Sequence, residues 1–93
     1  MHIEHLMELY DEAVDELMGA QEYAKKSDHA SDAELKSMYK TMARQELEHE
    51  NLLVKAGQRM LASEPPESLL HAMWKHLTGH LNDWRGDIDR RLM

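Results

Sequence analysis

Ser27-Asp28-His29-Ala30-Ser31-Asp32-Ala33-Glu34 is the stretch on which the fold turns. Its first four residues read as a short turn. In the last four, the Ser31 hydroxyl and the Glu34 carboxylate have the spacing of a capping box, so a helix begins near Asp32. Upstream, apolar or small residues recur at Ile3, Leu6, Tyr10, Ala13, Leu17, Ala20 and Ala24. That alternation predicts helix A from about Ile3 to Lys26, with Lys25 and Lys26 suiting its C-terminal dipole. Downstream, helix B is expected from about Asp32 to Leu61. Its buried stripe would be Leu35, Met38, Met42, Glu46/His49, Leu52/Leu53, Ala56 and Met60. Gly57 would cost this helix about 1 kcal/mol relative to Ala. A turn this short makes A and B an antiparallel hairpin.

Within helix B, Gln45-Glu46-Leu47-Glu48-His49-Glu50 sets Glu46 and His49 one turn apart on one face, where a carboxylate and an imidazole can bind one ion. With 11 Glu and 7 His in 93 residues, roughly one such pair is expected by chance, so it needs a partner carboxylate at the right height. Residues level with each other across a hairpin have numbers centred on the turn, which places Glu46 opposite Glu12 or Glu16. The helical neighbours of Glu12 are Glu8, Leu9, Asp15 and Glu16, a mostly acidic, solvated setting. Those of Glu16 include Ala13, Gly19 and Ala20, small residues that leave space for an ion, and Glu16 is preferred. The same register pairs Ala20 with Met42, Ala24 with Met38, Leu9 with Leu53 and Leu6 with Ala56. It also sets Tyr23 level with Tyr39.

Asp15-Glu16-Leu17 through Glu46-Leu47-Glu48-His49 resembles the ferritin-like superfamily, most closely the short encapsulated-ferritin type, whose subunit supplies half a bundle and half a di-iron site. The resemblance covers about 35 residues and is carried mainly by the 30-residue spacing from Glu16 to Glu46. It implies Glu16, Glu46 and His49 as metal ligands and catalytic residues, with Tyr23 near the site and Glu12 and Glu50 as secondary carboxylates. It further implies a ferritin-like four-helix bundle completed by dimerisation, and iron as the metal at a di-iron site between subunits. The implied activity is that of a ferroxidase, oxidising Fe(II) to Fe(III). Iron storage in a mineral core would require many copies forming a shell. Where encapsulated relatives carry a shell-docking peptide, the sequence given stops at Arg90-Arg91-Leu92-Met93, so an encapsulating shell protein is an implied partner without a visible docking tail.

The rest of the chain sets the frame. Ser63-Glu64-Pro65-Pro66-Glu67 breaks helix B, and helix C is expected from about Glu67 to Leu92. Its stripe is Leu70, Met73/Trp74, Leu77, Leu81, Trp84, Ile88 and Leu92, with Trp74 and Trp84 expected as anchors of an oligomer interface. The expected architecture is all-α, a long antiparallel hairpin plus a third helix, in a single domain over residues 1–93. Three long helices with uncovered apolar stripes predict a homo-oligomer, dimer or higher, a ring included.

A net charge of −7 with scattered basic residues argues against a nucleic-acid or membrane surface. With no basic-apolar leader and no membrane span, a cytoplasmic location is expected. The lack of cysteine leaves carboxylate and imidazole as the metal ligands, a set that suits iron, manganese or zinc. Eight Met and no Phe make an adaptable core. On helix C, His76 and His80 stand one turn apart with Asp83 beyond them, and they are read as flanking residues of the buried stripe. The acidic face Glu4, Glu8, Asp11, Glu12 and Asp15 is a solvated one that can also draw cations. The competing function is a helical oligomerisation or interaction module, metal-free or with a structural metal.

Overall fold

The computed structural model describes residues 3–93. Met1 and His2, the first residues of the expected single domain, lie outside the described residues. Three helices follow in order, α1 (Ile3–His29), α2 (Ala33–Leu61) and α3 (Leu69–Leu92). The α1–α2 pair is a long antiparallel hairpin, and α3 lies along it with fewer contacts to either. The described chain is 51 Å long and 18 × 15 Å across.

The hairpin turn is tighter than expected. α1 continues three residues past Lys26, and Asp32 rather than Ser31 caps α2, its Oδ2 accepting from the Leu35 amide at 3.2 Å. Asp32 is extended (φ −95°, ψ 130°), the cap conformation, which shifts the capping register by one residue. No described residue has a positive φ, so the turn needs no glycine. Pro65 and Pro66 fill a turn closed by the Ser68 amide on the Pro65 carbonyl. Ser68 then caps α3 through its hydroxyl, so this helix starts two residues later than expected.

Ala13, Leu17, Ala20 and Ala24 of α1 meet Ala43, Leu47 and Val54 of α2 and Leu81, Ile88 and Leu92 of α3 in one core. The alanines bring α1 and α2 close together, while each fully buried Leu or Ile contributes about 1.5–3 kcal/mol. Leu6, Leu61 and Trp74 form a smaller cluster at the other end.

The buried arc of α2 is displaced from the expected stripe by one residue. Ala43, Leu47, Glu50, Val54, Gly57 and Leu61 are buried, whereas Leu35, Met38, His49 and Leu52 are exposed and Met42, Glu46, Leu53, Ala56 and Met60 are half-buried. One residue is about 100° of helix. α2 touches α1 and α3 at once, and the arc facing both lies between them, turning the expected stripe onto an uncovered flank. Ile3 is likewise exposed.

Both tryptophans make contacts within the chain. Trp74 is buried with its ring against Gly57, and the Trp84 indole donates to Gln21 Oε1 at 2.7 Å. The end of α3 is pinned by Arg44 donating to the Leu92 carbonyl at 3.0 Å and by Arg91 pairing with Asp28 at 2.6 Å. No described helix is long and apolar enough to cross a membrane.

Candidate metal centre

Glu16 on α1 and Glu46 and His49 on α2 are brought together by the hairpin register. One ligand atom from each lies within 4.8 Å of the others, the one such group of three among the described residues. The Tyr23–Tyr39 pair obeys the same register: its rings stack with centroids 6.2 Å apart, and both pairs are symmetric about Ser31. The Lys26 amine sits 5.5 Å over Tyr23 and 5.9 Å over Tyr39. Tyr23 is two turns from Glu16, roughly 10 Å along the axis.

Gly19, one turn after Glu16, lies against the Glu46 carboxylate. A Cβ at this position would stand 2.8 Å from Glu46 Oε2, so a side chain there would push that carboxylate tip aside. His49 Nδ1 is 3.5 Å from Glu16 Oε2, and that oxygen is buried without a hydrogen-bond partner. The His49 side chain is 57% exposed against 27% for Glu16, so the group opens onto the flank that α3 does not cover. Two carboxylates and an imidazole converging on one point are the donors that iron, manganese or zinc takes.

The Glu46 carboxyl is pushed up to about 7, first by hydrogen bonding to Glu16, then by burial and the Glu16 charge, with His49 opposing. Two consequences follow in solution. A metal must displace that proton, so affinity should fall by about tenfold per pH unit below about 7 and level off above it. In chelator, the folded chain retains a proton that the unfolded chain releases at its ordinary value of 4.5. The Glu46 contribution to stability should therefore be fully present below 4.5 and be lost as pH rises through about 7. Metal titrations and thermal unfolding across this window check both signs.

The secondary carboxylates lie elsewhere. Glu12 is exposed and outside the group. Glu50 is turned into the core, 1% exposed, with Oε1 3.7 Å from Arg85 Nε. Burial raises its carboxyl, Arg85 opposes, and Asp89 adds to the rise. Arg85 had no sequence signal, because only the docking of α3 brings it to Glu50.

Set against protein-family models, curated proteins and solved structures, the chain finds no match in any of the three.

Proposed function

We propose that the chain is an iron-binding ferroxidase of ferritin-like type, with its di-iron site assembled between two copies. The observation that carries this reading is the convergence of Glu16, Glu46 and His49 on an open flank of the hairpin. Three ligands are half of what two ions need, and the flank is not sealed. Along the same stripe of α2 lie exposed Leu35 and Met38, toward the hairpin turn, and half-buried Met42 and Leu53, nearer the group, an apolar border that a second copy would cover. Seated about a two-fold axis, that copy would add its own two carboxylates and imidazole.

Fe(II) is the substrate. Two Fe(II) ions each give one electron to O₂, which takes up two protons and leaves as hydrogen peroxide, with two Fe(III) as product. Glu16 and Glu46 supply hard anionic oxygens, which favour the ferric product over the ferrous substrate. The proton held at Glu46 leaves as the ion enters. His49 is a neutral ligand at the solvent side of the group. The same apolar border favours the second reading, a helical association module that needs no metal.

Anaerobic titration with Fe(II) followed by air separates the two. The ferroxidase binds about one iron per chain tightly and oxidises it within the mixing experiment. Light scattering with and without metal then reports whether association depends on the ion. Oxidation no faster than in buffer, by a folded chain, leaves the association module as the reading.

A further inference from the structure

Away from the carboxylate centre, α3 carries a second set of metal-binding side chains. His76 and His80 are both exposed, one helical turn apart, and their rings meet edge to face with centroids 4.8 Å apart and planes at 89°. The buried side chains of α3 include Trp74, Thr78 and Leu81. His76 and His80 each stand about 100° or more around the helix from all three, on the side turned away from the hairpin. Each ring has the other as its neighbour, whereas the third histidine of α3, His71, has Nε2 3.3 Å from the Glu64 carbonyl.

We infer that His76 and His80 form a separate two-imidazole site for a borderline divalent cation of the zinc class. Two imidazoles at i and i+4 on one helix are a recurring zinc-ligand pair, because the helix presents both rings on one face before any ion arrives. That preorganisation lowers the ordering cost of binding. Asp83, one turn on, does not join them in a three-ligand group, so the ligand set is the two ring nitrogens. Neutral imidazoles suit zinc, nickel or copper(II) and hold hard ions such as magnesium, calcium or Fe(III) poorly. The centre at Glu16, Glu46 and His49 has the opposite bias, with two anionic oxygens to one nitrogen. The chain thus carries two sites of different hardness. The α3 site is independent of the ferroxidase reading.

The test is a zinc titration of the full chain carrying Glu46→Ala, which weakens the carboxylate centre and isolates α3. Calorimetry should find about one zinc per chain, and adding His76→Ala or His80→Ala should weaken it by at least about tenfold, the loss of one of two ligands. His29→Ala, at the hairpin turn, should change nothing. Zinc should shift the ring resonances of His76 and His80 and raise the melting temperature only in chains that keep both. These residues are exposed, so circular dichroism should show every variant folded. Unchanged zinc affinity in His76→Ala and His80→Ala, or resonance shifts confined to other histidines, overturns the assignment.

Discussion

Glu46→Ala is expected to slow iron oxidation by at least about a hundredfold while leaving the chain fully helical. Glu46 lies on a half-open flank and fills no core volume, so its removal leaves no packing cavity. Its carboxyl is held near 7 by crowding against Glu16, which means the ionised form is disfavoured in the folded chain. Removing it relieves that conflict. The variant in chelator should therefore be as stable as the wild type below 4.5 and more stable near neutral pH. Loss of activity together with gain of stability is a pattern that general misfolding cannot produce. His49→Ala and Glu16→Ala should lose activity comparably, whereas Glu12→Ala should stay within about twofold, which decides between the two helix α1 carboxylates. Gly19→Ala probes the same centre by shape, since its methyl group would occupy space 2.8 Å from Glu46 Oε2. Stopped-flow absorbance after mixing with Fe(II) and air reads all five. Wild-type rates in Glu46→Ala would sink the proposed centre.

Gly57→Ala is expected to destabilise the fold by about 2 kcal/mol or more, against the helix-propensity gain of about 1 kcal/mol that the substitution normally brings. A Cβ at Gly57 would lie 2.1 Å from Cζ2 of Trp74 and 2.6 Å from Cε2. The indole is rigid and 3% exposed, so it cannot step aside without opening the cluster with Leu6 and Leu61. Gly79→Ala is the matched control. It sits in the same kind of helical setting, and a Cβ there meets nothing within 4 Å. That substitution should stabilise by about 0.5–1 kcal/mol. Denaturant unfolding of the two variants should thus move in opposite directions. A stabilised Gly57→Ala chain would mean that Trp74 does not pack where described.

The contrast between these positions shows what could be read in advance. Gly57 was legible only as a weak point of helix α2, because nothing in the surrounding residues announces that a tryptophan seventeen positions later lies on it. Gly19 was legible as space beside Glu16, because its partner lies across a hairpin whose register follows from turn length. Glu50 resembled another site carboxylate by its spacing from Glu46, yet it faces Arg85 of α3. In each case the distinction is whether the contact is set by the hairpin or by the third helix.

Sequence alone determined the three helices, the antiparallel hairpin and the narrowing of the partner of Glu46 and His49 to Glu12 or Glu16. These depend on helical period, a short turn and a residue count, all local quantities. Only the tertiary structure decided which arc of α2 is buried, why Gly57 is glycine, and that the three ligands lie on an uncovered flank. Those follow from where α3 docks, and that docking is chosen by packing between residues far apart in the chain, which leaves no periodic signal on any one helix.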